Sequence, residues 1–148
     1  MTGVQTCALP ISTGTILKEA TGVYTDNGAF IQLSLTTSWL SFAGLQGYER
    51  FYDMLLLGDY KSPHTLNVQF AYDFNNTTTQ TVQIPVTSDP GVYQYRIFPI
   101  NQKCEAFQIT IFDTQDSSFG EGFDISALIM RVGIKAGTNK MAASKAYG

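Results

Sequence analysis

The chain has 148 residues, of which 44% are hydrophobic and only 14% charged, and its formal net charge is −3 at pH 7. This length suffices for one domain with a sizeable core, and the acidic balance argues against a nucleic-acid-binding domain, which presents a basic face. No apolar run approaches the roughly 18 residues that a membrane span needs, and few charges leave Thr, Gln, Asn and Ser to cover most of the surface.

The first eleven residues are set aside from the fold. Thr2–Ile11 equals, residue for residue, the in-frame translation of the sequencing-library adapter ACTGGAGTTCAGACGTGTGCTCTTCCGATC. We therefore expect residues 1–11 to be non-native, native sequence to begin near Ser12, and an N-terminal portion of a longer, metagenomic protein to be missing. The competing interpretation is a signal peptide, but the basic n-region and a sufficiently long apolar run are absent. Without Cys7, Cys104 is left as the one native cysteine, which fits assembly in a reducing cytosol.

Period-two alternation predicts strands in the first third of the chain. Thr15–Lys18 is a short candidate, and Ala29–Leu35 alternates apolar and polar residues after an Asp-Asn-Gly reversal signal. Trp39 is the only tryptophan. A core or sheet-edge anchor is the favoured interpretation of it, and a sugar-stacking platform is the alternative.

The strongest strand pair lies between Arg50 and Phe74. Arg50–Leu57 ends in a dense apolar run, Gly58–Pro63 provides a polar turn, and the next strand alternates cleanly through Leu66, Val68, Phe70 and Tyr72. Gly58 and Pro63 are predicted to shape the turn, and Gly44 and Gly47 to permit the tight connection before it. Arg50 and Asp73 are predicted to form an ion pair on the strand face.

The remaining sequence predicts further strands separated by turn signals. Asn75–Thr79 is expected to be a polar turn, and Pro85 indicates that the strand containing it lies at an edge or a bulge. The predicted strands in this half are Thr81–Thr87, Val92–Ile100, Cys104–Asp113 and Gly122–Lys135. A short helix is the alternative for the last of these.

About eight strands at roughly ten-residue spacing are typical of a sandwich rather than a parallel α/β sheet. The sequence thus predicts an all-β fold, an antiparallel, jelly-roll-like β-sandwich over residues 12–136, followed by an extended tail over residues 137–148.

The sequence indicates no catalytic chemistry. His64 is the only histidine, so a Ser-His-Asp or Cys-His arrangement would have to use it; a turn residue bonded to nearby backbone is the favoured interpretation. Cys104 follows Lys103, which can lower a thiol pKa, but a buried, packed thiol is favoured. Asp113–Glu121 resembles a calcium loop without the required spacing. We therefore expect no enzyme and no catalytic, cofactor or metal site.

Several segments in order resemble the C-terminal portion of short-tailed phage tail proteins. The resemblance is to the podovirus tail nozzle, or tail tubular B-type, and packaged-DNA-stabilisation proteins. It covers most of Leu40–Gly148 and is carried by GLQGYER, LGDYKSPH, VQFAYDF, QKCEAFQITI, GFDISALIMRVGIKAG and the terminal AASKAYG.

The resemblance implies a virion structural module made in the host cytoplasm. Its partners would be itself, in a ring of identical copies, and other tail proteins, with DNA only as passing cargo and no membrane span. Arg50, Gly58, Pro63, His64, Asp73 and Trp39 would then be structural or interaction residues. A carbohydrate- or receptor-binding β-sandwich is the alternative, and it predicts a line of exposed aromatic residues drawn from Trp39, Tyr48, Tyr60 and Tyr93. An enzyme fragment with paired carboxylates is a third possibility.

Overall fold

The computed structural model describes residues 21–26, 28–44, 47–84, 91–115 and 120–135, without the side chains of Gln115 and Lys135. Residues 1–11, the predicted strand Thr15–Lys18 and the predicted tail lie outside these ranges. Within them there is no helix, and strands joined by turns and loops form the regular structure. The strands are β1 Thr25–Asp26, β2 Ala29–Phe30, β3 Ser34–Thr36, β4 Tyr48–Tyr60, β5 His64–Tyr72, β6 Asn75–Ile84, β7 Gly91–Ile97, β8 Lys103–Cys104, β9 Phe107–Gln115 and β10 Phe123–Lys135.

Two four-stranded antiparallel sheets form the body of the protein. In the front sheet the order is β10-β4-β7, and β8 also pairs with β4; in the back sheet the order is β3-β9-β5-β6. The strands β1 and β2 form a separate hairpin. The sheets pack together as a sandwich, so the predicted all-β sandwich is confirmed, and the helical alternative for residues 122–135 is wrong because β10 pairs along its length with β4.

The core lies where the inner faces of the sheets meet. Phe51 in the front sheet stacks on Phe107 in the back sheet, with ring centroids 4.2 Å apart, and meets Phe70 edge-on at 5.8 Å. All three side chains have 0% exposure. Burying one such side chain contributes about 1.5–3 kcal/mol, so this aromatic contact is a principal link between the sheets.

A β-bulge explains why the central strand departs from strict alternation. Asp53 pairs with Arg131 while Phe51 pairs with Val132, so β4 carries an extra residue, Tyr52, at this point. The bulge turns both Phe51 and Met54 toward the core although they are three positions apart. It also leaves Asp53 on the outer side of the sheet, opposite Arg131.

The turn after β4 begins later than predicted. The strand continues through Gly58 and Tyr60, and the connection to β5 is Lys61–Pro63. Gly58 was expected to shape the turn, but it lies inside the strand against the Phe123 ring, whose atoms are 2.2 Å from where a Cβ would stand. Glycine is therefore required at this position by close packing rather than by chain reversal.

The turn between β5 and β6 also lies elsewhere than the sequence predicts. Asn75–Thr79, predicted as a turn, forms the first half of β6, and the reversal lies at Asp73 and Phe74, which have φ values of 54° and 60°. Two consecutive residues with positive φ are the geometry of a two-residue hairpin turn. The misplacement has a physical cause. The first five residues of β6 are all exposed, so this half of the strand has no alternating apolar residues by which a strand could be recognised in the sequence.

Two predicted strands are each divided in the structure. Ala29–Leu35 is interrupted after Phe30, and Leu33 N–H donates to the Asp113 side chain instead of to a strand partner. Cys104–Asp113 is divided because Cys104 pairs with β4 in the front sheet whereas Phe107 pairs with β5 in the back sheet. The chain therefore crosses from one sheet to the other at residues 105–106.

Candidate functional site

The outer side of the front sheet is apolar at its centre. Directly opposed residues of an antiparallel pair point to the same side of the sheet. Leu55 is opposed by Ile129 on one side, and Leu57 by Ala127. Ile129 is 57% exposed and Val92, on the same side, 72% exposed. We call this surface the front face: Leu55, Leu57, Val92, Ala127 and Ile129, with the charged residues beside them.

A charged cluster borders the front face. The Asp53 carboxylate lies 2.8 Å from Arg131 Nη2 and 3.9 Å from Arg96 Nε. The guanidinium groups of Arg50 and Arg131 lie 5.1 and 5.4 Å from the centre of the Tyr52 ring. Asp53 is 7% exposed whereas Arg96 and Arg131 are both exposed. The buried carboxylate therefore holds two arginines at the rim of an apolar surface, and Tyr52 contacts Arg50 and Arg131 beside them.

The outer side of the back sheet is uncharged and polar. One row across its four strands is formed by opposed residues in the order Thr36, Thr110, Gln69, Thr81, and the next row by Ser34, Phe112, Asn67, Gln83. We call these two rows the back face. The Thr36 and Thr110 hydroxyls are 3.1 Å apart. Phe112 is half-buried and is the single aromatic residue in the rows.

His64 lies beside a serine but not in a catalytic arrangement. Its side chain is 1% exposed, and its ring stacks on Phe30 with centroids 5.2 Å apart. Nδ1 is 3.1 Å from Ser62 Oγ, while the Ser62 hydroxyl donates to the Glu121 carbonyl. Nδ1 is then the donor toward Ser62 and does not accept the serine proton, as activation of a nucleophile requires. His64 Nε2 is buried without a hydrogen-bond partner among the described residues.

The two most deeply buried carboxylates among the described residues, Glu49 in the front sheet and Asp113 in the back sheet, each hold a connecting segment. Glu49 in β4 accepts a hydrogen bond of 2.7 Å from Phe42 N–H, and Asp113 in β9 accepts one of 2.7 Å from Leu33 N–H. Burial raises the pKa of both carboxyl groups, an effect that these backbone donors partly offset. Glu49 Oε1 has no hydrogen-bond partner among the described residues. Asp113 is thus engaged with the segment around Leu33, and residues 116–119 of the calcium-like loop lie outside the described ranges.

Cys104 is an inert, packed thiol, as predicted. It is 0% exposed and forms no disulfide. Burial, reinforced by the nearby charges of Glu49 and Asp73, raises the pKa of the thiol to about 12. A thiol with a raised pKa has little thiolate at neutral pH and is a poor nucleophile.

A shallow depression of about 400 Å³ lies beside β8. Its lining residues are Arg50, Ile100, Asn101, Gln102 and Lys103. Arg50 is already committed there, because its guanidinium donates to Gln102 Oε1 at 2.9 Å. The lining includes two cations but no nucleophile and no group that titrates near neutral pH.

The predicted ion pair between Arg50 and Asp73 is wrong. Arg50 lies in the front sheet and binds Gln102, whereas Asp73 occupies the β5–β6 turn, where its carboxylate accepts a 2.7 Å hydrogen bond from Glu105 N–H. Pro63 lies in the turn before β5, next to buried His64. Trp39 is half-buried, with its ring 5.3 Å from that of Phe74.

The line of exposed aromatic residues that a sugar-binding module would use is not formed. Tyr60 is 3% exposed, and Tyr93 packs against the core, so both lie on the inner side of the front sheet. Trp39 contacts the β5–β6 turn, and Tyr48 lies at the start of β4 opposite Lys135. Tyr60 and Tyr93 meet edge-on inside the protein, with ring centroids 6.2 Å apart, and neither shares an exposed surface with Trp39 or Tyr48.

No family model, curated protein or solved structure matches the chain. In the described part of the chain, no helix has the length and apolar character needed to cross a membrane. No group of three or more His, Cys, Asp or Glu residues in the same ranges is arranged to hold a metal ion.

Sequence reasoning missed both outer faces as sites. Period-two alternation predicts which side of a strand is buried, and for the residues at the intervening positions it predicts only that they face water. The back-face signal is present in the sequence as Thr and Gln at alternating positions of β5, β6 and β9, without any charged residue among them. Their alignment into rows depends on strand order and register, which the sequence does not specify.

Proposed function

We propose that the chain is a structural module of a short-tailed phage tail, of the nozzle, tail tubular B-type or packaged-DNA-stabilisation kind, that assembles into a ring of identical copies. The proposal rests on the ordered sequence resemblance and on one structural observation, the front face. An apolar surface with Ile129 and Val92 exposed by more than half is typical of a site that another protein covers.

The edge of the front sheet supports the same proposal. β10 has 13 residues and pairs on one side with β4, and no described strand pairs with its other side. Between Asp124 and Arg131 it contains no charge and no proline, which are the usual protections of an edge strand. At the opposite edge of the same sheet lies β7. Pairing of β10 with β7 of the next copy would be a head-to-tail contact, which generates a ring when the rotation closes.

Charge is consistent with DNA as passing cargo. The net charge is −3, and two of the arginines near the front face are neighbours of Asp53. Tight binding to DNA requires several cations that neutralise phosphates. A channel built from such modules would guide DNA without holding it.

Assembly of the full chain tests the proposal. Size-exclusion chromatography with light scattering, over a range of protein concentrations, should give multimers of a defined size. Ile129→Lys places a charge in the front face and should reduce the mass to that of the monomer. Thr81→Lys, the same charge placed at an exposed position on the back face, is the matched control and should assemble as the native chain does.

Circular dichroism of both variants should match the native spectrum, since neither substitution touches the core. A native chain that stays monomeric at every concentration, alone and mixed with phage tail proteins, contradicts the proposal. Equal loss of assembly in both variants contradicts the assignment to the front face.

A further inference from the structure

The back face presents hydrogen-bonding groups without charge, in contrast to the front face with its charged cluster. Its two rows contain hydroxyl groups, carboxamides and one phenyl ring. The opposed pairs that flank them, Thr65 with Thr114 and Ala71 with Gln108, are also uncharged. A partner that lies flat on these four strands meets no fixed charge, so electrostatic complementarity favours an uncharged partner over nucleic acid or an acidic polymer.

The hydrogen-bonding capacity of the back face is only partly used within the protein. The hydroxyls of Thr36 and Thr110 bond to each other, and Asn67 Nδ2 contacts Thr114 Oγ1 at 3.4 Å. Gln69, Thr81 and Gln83 form no side-chain hydrogen bond with a described residue. A carboxamide has both donors and an acceptor, and it is therefore complementary to a partner rich in hydroxyl groups, which also donate and accept.

Phe112 adds an apolar contact at the centre of the back face. It lies between Ser34 on β3 and Asn67 on β5 and remains half-exposed. An aromatic ring surrounded by amides and hydroxyls matches a partner that has both apolar C–H faces and hydroxyl edges. Strands are about 4.8 Å apart, so a row across four strands is about 14 Å long, which suits an extended polymer better than a single small molecule.

We propose that the back face binds an uncharged polysaccharide, laid across β3, β9, β5 and β6. The polymer hydroxyls bond to Gln69, Thr81 and Gln83, and one sugar ring packs on Phe112. This site is separate from the front face, so the proposal does not depend on assembly. The proposed site consists of the polar rows of the back face, in place of the line of exposed aromatic residues that the sequence predicts for a carbohydrate-binding module.

Affinity electrophoresis of the full chain provides the test. Native gels containing dextran, starch, galactomannan or xyloglucan should retard the protein relative to a polymer-free gel, and gels containing alginate should not. Gln69→Ala should weaken binding to one neutral polymer, so that the apparent dissociation constant obtained from the retardation rises at least tenfold. Gln94→Ala, the same substitution at an exposed position on the front side, is the matched control and should change it less than twofold.

Thr81→Lys is the second variant and introduces a charge at an exposed position without altering the core. It should abolish retardation while leaving the multimer mass unchanged, which separates this site from assembly. Absence of retardation by all four neutral polymers, equal retardation by alginate, or equal effects of Gln69→Ala and Gln94→Ala would overturn the proposal.

Discussion

The front and back sheets share one inner pattern but have contrasting outer surfaces. Both contribute fully buried apolar side chains to the core, such as Phe51 and Leu56 from the front and Val68 and Ile109 from the back. On the outside, the front sheet presents Leu55, Leu57 and Ile129 where the back sheet presents threonine and amide side chains. Burial of the inner pattern holds the two sheets together, so the outer residues are free to differ between them.

The largest expected effect is a difference in the free energy of unfolding between substitutions on the inner and outer sides of one back-sheet strand. Phe107 and Phe112 are both in β9, but Phe107 is fully buried against Phe51, whereas Phe112 is on the back face. Phe107→Ala should lower the free energy of unfolding by about 3–5 kcal/mol, because it removes transfer energy and leaves a cavity. Phe112→Ala should cost less than half as much. Urea denaturation measures both, and equal losses would show that the inner and outer sides are not distinct.

A smaller effect is expected at a buried glycine of the front sheet. Gly58→Ala places a methyl group where the Phe123 ring lies and should destabilise the fold by about 1–3 kcal/mol through overpacking. In a Phe123→Leu background the cost should fall, since the ring that opposes the methyl is gone. A double-mutant cycle from urea denaturation measures this coupling. Additive effects would mean that Gly58 is constrained by the Asp124 carbonyl oxygen, which lies 2.5 Å from the same Cβ position, rather than by the Phe123 ring.

The smallest effect compares Glu49 and Asp113, the most deeply buried carboxylate of each sheet. Burial raises the pKa of Glu49 above its ordinary value of 4.5, against the lowering effect of the Phe42 and Ala43 N–H groups. The folded chain then binds this proton more tightly than the unfolded chain, so the stabilisation is complete below the ordinary pKa and is lost as pH rises through the folded one. Acidification from about pH 7 to about pH 4.5 should therefore stabilise the native chain relative to Glu49→Gln.

The midpoints of urea denaturation of the native chain and of Glu49→Gln, measured across that pH range, give the difference in stability between them. Asp113→Asn is the back-sheet counterpart and should change the pH dependence in the same direction, because burial raises the pKa of Asp113 too. A stability difference that does not vary with pH would contradict the expected shift for the carboxyl concerned.

The sequence predicted the fold wherever one side of a strand is buried. Alternation through Val68, Phe70 and Ile109 identified strands whose inner residues have 0% exposure. The prediction failed where buried and exposed residues do not alternate along a strand. Asn75–Thr79 forms a strand although all five residues are exposed. Gly58, a residue type typical of turns, lies inside a strand because it pairs with Ile125 of β10 and Tyr93 of β7. The outer faces were not predictable, since which residues become neighbours depends on pairings distant in the sequence.

The pairing of β4 with β10 has a consequence for synthesis. Asp53 and Arg131, which bond across this pair, are 78 residues apart, so the central strand of the front sheet has no long partner on that side until the ribosome has released β10. Such distant contacts slow folding, because a large loop must close before the pairing is gained. The back-sheet hairpin of β5 and β6 is local by contrast and should acquire protection from proteolysis earlier on a stalled nascent chain. Simultaneous protection of both sheets would show that the domain folds in one step after release.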